Sequence, residues 1–478
     1  MNITWIIGNG FDIRCGLETT YKHFYDWIEK TGKIDSDNDI YRTIKEKRID
    51  WSYFEKKLGE YSKELSDDKI DLFENNLEIL ISDLVEYLYS EENRIEETKL
   101  GNLDSFFASI TSFPKYLRNA DCQALEIKKN FHKGERSYNT GVFEGNMIPV
   151  NVSYISFNYT NTFQKYWNTL KPSSVPINND IKLNFNYRFG DGCNLHNTLQ
   201  TGMVLGCDNV NQCNPMAENL LVKPVINENT GELNDDMAME MIEETDIFIL
   251  FGTSIGETDK TWWREIADRC LDPKCRIIIF NYNETFNKSN TLQTIRTKNS
   301  FIEHFLSHLD HLDQDSINSI RLRTIVSEDI ADMFQMKPTL KWRNSSPEPT
   351  GQADFIYSSN NGKYRIGSGD MAFELHFTKA SNTSIHMTRN SKGIESIALA
   401  KGISEINQIK NIDEFDFTSR VRTPQIGNIV IIKNTAGYYA AVKLIDVTDN
   451  TKGDEVDEVE FEYVILNNKS YDFSTNNN

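Results

Sequence analysis

The stretch Ile3-Thr4-Trp5-Ile6-Ile7-Gly8-Asn9-Gly10-Phe11-Asp12 decides the fold. Ile3 to Ile7 is a short, apolar, β-branched run that meets glycines at once, the pattern of a buried parallel strand delivering its chain into a tight turn. A strand ending in Gly8-Asn9-Gly10 and leading into a helix lets backbone N–H groups reach a ligand phosphate with no Cβ in the way. A plain turn with Asp12 as helix N-cap fits the same residues. The dinucleotide fingerprint needs a third glycine, and Ile13 stands in that place, which disfavours an ordinary dehydrogenase-type site.

Outward from this strand, the apolar residues Ile70, Phe73, Leu77, Leu80, Ile81, Leu84 and Leu88 recur every three or four positions and predict an amphipathic helix. Residues 20–145 as a whole read as a helical insertion after the first strand. Strands are expected at Val152 to Phe157, Gly202 to Leu205, Asp246 to Phe251 and Arg276 to Asn281, with helices at Asp259 to Cys270 and Phe301 to Leu312. This alternation predicts an α/β domain over residues 1–335, a parallel sheet with helices on both faces. Breakers at Lys337-Pro338 and Asn344-Ser345-Ser346-Pro347-Glu348-Pro349 mark a linker. Beyond it, residues 345–470 read as a mainly antiparallel β module. Phe373, Leu375 and Phe377 alternate with Glu374 and His376, further strands are expected at Asn428 to Lys433, Tyr438 to Ile445 and Val459 to Leu466, and Asn434-Thr435-Ala436-Gly437 supplies a hairpin turn. A polar tail, Tyr471 to Asn478, follows.

At 478 residues two or three domains are expected. A net charge of −20 argues against broad nucleic-acid binding, which depends on lysines and arginines neutralising phosphates. The first residues lack the basic start and apolar length of a signal peptide, and no run approaches a membrane span, so a cytoplasmic location is expected. The seven cysteines, Cys15, Cys122, Cys193, Cys207, Cys213, Cys270 and Cys275, then read as free thiols. Their spacing is wider than the CxxC of structural zinc sites, and no metal is expected.

Three further segments carry candidate chemistry. Ser156-Phe157-Asn158-Tyr159-Thr160-Asn161-Thr162 emerges at the carboxyl end of an expected strand, where open parallel sheets bind ligands. Asn158 offers both a donor and an acceptor there, though Asn158 and Thr160 could equally cap the next helix. Gly252-Thr253-Ser254-Ile255-Gly256-Glu257-Thr258-Asp259 is again a strand running into a small-residue loop. Thr253 and Ser254 can donate hydroxyls to phosphate or ribose, and Asp259 is either a ligand contact or an N-cap. His196, in Asn194-Leu195-His196-Asn197, is a candidate general base or a structural histidine. In the β module, Arg420 and Arg422, conspicuous beside the acidic run Asp446 to Glu460, read either as sensors of an anionic trigger or as part of a solvated salt-bridge surface.

Gly8-Asn9-Gly10-Phe11-Asp12, then Gly16-Leu17-Glu18-Thr19-Thr20-Tyr21, Trp51 with Glu55, and Phe157-Asn158-Tyr159-Thr160-Asn161-Thr162 together resemble the AbiH abortive-infection proteins of bacterial anti-phage defence. The resemblance covers roughly residues 1–310. The AbiH pattern is in turn similar to the sirtuin-like NAD-binding fold, a Rossmann-like sheet. It implies that Gly8, Asn9, Gly10, Phe11, Asp12, Tyr159, Thr160, Gly252, Thr253, Ser254, Gly256 and Asp259 bind NAD, that Asn158 positions the nicotinamide ribose or the attacking water, and that His196 is the general base. Asn197 and Asp12 depart from that pattern, where glycine and serine are usual. The implied activity is hydrolysis of NAD to nicotinamide and an ADP-ribose product, in a homo-oligomer answering a phage-derived trigger. Two alternatives are a nucleotide-sensing module of a defence assembly without its own NAD hydrolysis, and a reaction using Asp12 and Asp259 as metal-binding carboxylates.

Overall fold

The computed structural model describes residues 1–31, 38–44, 51–132, 135–139, 148–170, 185–231, 233–280, 291–327, 329–340, 344–358, 362–454 and 457–474. Two compact units divide the chain: Met1–Tyr25 with Ser36–Leu340, and Asp26–Asp35 with Lys341–Asn478.

The first unit is built on six strands: β1 (Asn2–Ile7), β2 (Ile148–Ser156), β3 (Phe185–Asn194), β4 (Ile247–Phe251), β5 (Arg276–Phe280) and β6 (Thr324–Ser327). Their spatial order is β3-β2-β1-β4-β5-β6, and every neighbouring pair is parallel. The continuous apolar runs are explained by burial on both faces. Ile3, Trp5, Ile7, Ile249 and Phe251 point into one core, where the helices Leu103–Ile110 and Thr162–Leu170 contribute Phe106, Phe163, Tyr166 and Trp167. Ile6, Phe248, Leu250 and Ile277 point into the other, against Ile242, Trp263 and Ile266 from the helices Asn234–Glu244 and Lys260–Arg269.

The register levels the strand ends. Ile7 pairs with both Ser156 and Phe251, Ser156 with Asn194, and Phe251 with Phe280. The loops starting at Gly8, Phe157, Leu195 and Gly252 therefore leave the sheet along one edge. Sequence neighbours run outward to one side from β1 to β3, whereas β4 continues on the other side of β1, so the order reverses between β1 and β4. In open parallel sheets that is where ligands bind.

Between β1 and β2 the chain is helical, with Tyr21–Thr31, Asp39–Ile44, Trp51–Lys63, Ile70–Glu92, Leu103–Ile110 and Asn119–Ala124. On the helix expected from residue 70, Ile70, Phe73, Leu77, Leu80, Leu84 and Leu88 are all buried. The insertion is not helical to its end: Lys128–His132 and Glu135–Asn139 form an antiparallel hairpin. The expected strand at Gly202 to Leu205 is also absent. A turn closes there instead, with Gly202 at φ +96 and the Val204 N–H donating to the His196 carbonyl at 3.0 Å. The strand belonging to this region is β3, whose polar residues and Gly190 and Gly192 hid it; the place of a Cβ on Gly192 is taken by the Tyr154 ring. Asn281, the expected end of β5, lies outside the described residues, as do 475–478 of the tail.

The second unit holds two five-stranded sheets. One orders Thr350–Ile356, Glu458–Ile465, Tyr439–Val447, Ile429–Asn434 and Ile394–Leu399, all antiparallel. The other orders Val421–Arg422, Ser384–Thr388, Phe373–Ser381, Lys363–Ile366 and Ser345–Ser346, antiparallel except for the last pair. One core draws Phe355, Val442 and Phe461 from the first sheet and Phe373, Leu375 and Phe377 from the second. At the expected hairpin, Gly437 takes φ +86 and the Asn434 side chain accepts from the Tyr438 N–H. No helix among the described residues is long and apolar enough to cross a membrane.

Candidate functional site

The glycines of the first loop serve an approach between two loops. Gly8 N–H donates to the Phe251 carbonyl and Gly10 N–H to the Gly252 carbonyl, both at 2.9 Å, and Phe11 N–H returns to Gly8 O at 3.0 Å. A Cβ on Gly8 would stand 2.5 Å from Gly252 O, and one on Gly252, which has φ +70, 2.6 Å from Gly10 Cα. These N–H groups are thus taken by backbone carbonyls. What the glycines achieve is to bring the loops after β1 and β4 into contact at the reversal of strand order.

Polar side chains fasten the same loop outward. Asn9 donates its amide to the Thr19 carbonyl at 3.1 Å and accepts from the Thr19 hydroxyl at 2.5 Å. Asp12 is not a cap: its Oδ2 accepts the Thr160 hydroxyl at 2.6 Å. Burial pushes the Asp12 carboxyl up to about 7, while the hydroxyls of Thr160 and Thr162 pull it down. Asn158 is buried at the cavity wall, and both ends of its side-chain amide lack a hydrogen-bond partner. A buried amide of this kind is explained by a ligand or an ordered water.

On the other side of Asn158 runs a buried ionic chain. Glu55, on the helix Trp51–Lys63, accepts from the Tyr159 hydroxyl at 2.7 Å, the Thr258 hydroxyl at 2.8 Å and Lys223 Nζ at 3.0 Å. Lys223 Nζ also meets Asp259 Oδ1 at 2.9 Å, and His196 Nε2 lies 3.0 Å from the same oxygen. That last contact is an ion-pair distance whose direction misses hydrogen-bond alignment. Burial opposes the charge on Lys223, but the carboxylates of Asp259 and Glu55 outweigh it and hold the ammonium above its usual range. Burial likewise opposes ionisation of Asp259, yet Lys223 and then His196 hold it well below the usual carboxylate range. Asp259 occupies the N-cap position of Lys260–Arg269 without a capping hydrogen bond, so its side chain belongs to this chain of charges.

These groups surround a cavity of about 740 Å³ at the sheet edge. That is room for a dinucleotide-sized ligand. Gly8, Asn9, Gly10, Asp12, Asn158, Tyr159, Thr160, His196, Gly252, Thr253, Ser254 and Asp259 all line it. Two of the expected residues do not. Phe11 turns into the core, with ring centroids 4.9 Å from Phe163 and 5.2 Å from Phe334, and Gly256 gives its carbonyl to Trp263 Nε1 at 2.8 Å. A smaller hollow of about 290 Å³ in the second unit is walled by Asp354, Asp446, Glu458 and Glu460. The larger cavity, which gathers the polar residues expected from the sequence, is the candidate site.

A family model for bacteriophage abortive infection AbiH matches residues 4–282, more than half of the chain. The chain belongs to the AbiH family. Its role accordingly lies in bacteriophage abortive infection. No curated protein matches the chain. The segments that carry the AbiH resemblance meet around the cavity through three pairs: Asn9 with Thr19, Asp12 with Thr160 and Glu55 with Tyr159. Sequence reasoning missed Lys223 altogether, and gave Glu55 no role. His304 was missed too; it lines the cavity and its Nε2 lies 3.2 Å from the Ser254 carbonyl. A lysine in Val222-Lys223-Pro224 carries no local signal of burial, because its partners are 168 and 36 residues away. Arg420 donates to Asn390 Oδ1 and Arg422 pairs with Asp416.

Proposed function

We propose that this AbiH protein acts in abortive infection by binding NAD in the cavity and hydrolysing its N-glycosidic bond, giving nicotinamide and ADP-ribose. The observation that carries the reading is a buried histidine with a carboxylate partner, His196 with Asp259, beside the unpartnered amide of Asn158, at the reversal of a parallel sheet. The strand order 3-2-1-4-5-6 is that of dinucleotide-binding Rossmann folds, which supports a dinucleotide over a smaller ligand.

In this reading Asn158 holds the nicotinamide ribose or the attacking water. With Nε2 of His196 turned to Asp259, Nδ1 is the nitrogen left to take the proton of that water. The water oxygen bonds to C1′ of the ribose as the bond to the pyridinium nitrogen breaks. Its electron pair goes to that nitrogen, and nicotinamide leaves neutral. Because Gly8 and Gly10 have no N–H to spare, the phosphates fall to Thr253 and Ser254 on the facing loop.

The test is nicotinamide release from NAD by the purified protein and by His196→Ala, alongside NAD binding by both. The expected result is release by the parent and a loss of about a hundredfold to ten-thousandfold in the variant, with binding kept. NAD bound by the parent but left intact under phage-infection conditions would replace hydrolysis with the nucleotide-sensing reading.

A further inference from the structure

The buried lysine of the site has no role in the steps above, yet it lies at their centre. Lys223 stands between Glu55 Oε2 at 3.0 Å and Asp259 Oδ1 at 2.9 Å, with the Thr258 carbonyl at 3.5 Å, and all three side chains are buried or nearly so. A structural ion pair would need one carboxylate; here the ammonium is shared between two, and the second also faces a histidine on the cavity wall. Asp259 Oδ1 is the single atom that both Lys223 Nζ and His196 Nε2 approach within 3.0 Å. Charges act additively, so an ammonium on the same oxygen repels a protonated His196 and offsets part of the attraction that Asp259 exerts on it.

We infer that Lys223 is a positioning residue for His196: by sharing Asp259 it keeps that carboxylate ionised and weakens its hold on the imidazolium, so that the ring can release a proton and serve again as base. The groups facing the ring are few. Asp259 lies on one side, and Asp235, on the helix Asn234–Glu244, also faces it: burial raises the Asp235 carboxyl, against the pull of Asn227 and of His196. Phe157 and Tyr159 cover the ring with centroids at 5.3 Å and 6.1 Å and carry no charge, the Tyr159 hydroxyl being held neutral by burial and by Glu55. Glu55 acts from behind Lys223. Removing Lys223 would therefore leave His196 opposite an undiluted carboxylate, whereas removing the carboxylate would leave it opposite none, and the two changes act in opposite directions.

The catalytic meaning of this arrangement rests on the NAD-cleavage reading, but the coupling is measurable without turnover. The experiment follows the ring nitrogens of His196 by nitrogen-15 NMR against pH in the full-length protein, in Lys223→Met, Lys223→Arg and Asp259→Asn. In Lys223→Met the ring is expected to hold its second proton about tenfold more tightly than in the parent, in Asp259→Asn about tenfold less tightly, and in Lys223→Arg close to the parent. Lys223→Met strips the cation from two buried carboxylates and can unfold the chain. The double variant Glu55→Gln/Lys223→Met removes one of them and carries the same expectation. Curves that coincide for the parent, the lysine variant and Asp259→Asn would overturn the inference. Separated curves in a protein that releases no nicotinamide would sustain the coupling and remove the NAD reading instead.

Discussion

Asp12 shows most plainly how a single residue couples fold to conditions. It is fully buried, accepts a threonine hydroxyl, and has its carboxyl pushed by burial to about 7 from 3.8. Below about pH 4 it is protonated whether the chain is folded or not. Between there and pH 7 the unfolded chain ionises while the folded chain keeps the proton, so the stability this group supplies at low pH is lost as pH rises through 7. That difference amounts to about 4 kcal/mol across the window. Asp12→Asn keeps the shape and cannot ionise. Urea unfolding at a series of pH values should show the parent losing stability relative to Asp12→Asn from pH 4 to pH 7 and running parallel to it above that; parallel curves throughout would mean that Asp12 is ionised in the folded protein. The threonine that Asp12 accepts from was visible in the sequence, but as a cap or a ligand contact, because nothing local shows that residues 12 and 160 meet.

Among the elements, the paired loops after β1 and β4 govern the site. Gly8, Gly10 and Gly252 allow the two backbones to pass within hydrogen-bonding distance, which fixes the cavity floor. A Cβ at Gly10 would collide with the backbone of Gly252, which lies at the end of a buried strand and has no room to retreat. Gly10→Ala is expected to lower the unfolding free energy by about 1–3 kcal/mol, the usual range for overpacking a close contact. On the proposed NAD-binding reading it should weaken binding as well, since the loops would part. Ligand titration and urea unfolding of the same preparation check this; a variant with parental stability would show that the loops have slack. The element pattern itself was largely legible. β1, β2, β4 and β5 announced themselves as apolar runs closed by glycine or polar residues, and the helix Ile70–Glu92 by its three-and-four spacing. β3 and β6 were not, because one is polar and glycine-bearing and the other only four residues long.

At the scale of the whole molecule, each unit encloses apolar cores of its own; among the described residues these include one on each face of the parallel sheet, one between the antiparallel sheets and one beneath Ile406, Ile409 and Ile412. Units with separate cores unfold as separate cooperative steps. Calorimetry of the full chain is expected to show two transitions, the larger enthalpy belonging to the unit with more residues, and a single sharp transition would contradict it. What the sequence determined by itself is everything that depends on neighbours a few residues apart: the apolar period of strands and helices, the turn glycines, the change of pattern after residue 337, and the motif set that places the chain in the AbiH family. What only the tertiary structure decided is which polar side chains share a buried space. The chain Glu55–Lys223–Asp259–His196 joins residues from four distant segments, and the glycines of the first loop proved to face a second loop. Such choices rest on long-range packing and charge burial, whose energies depend on partners that local spacing does not encode.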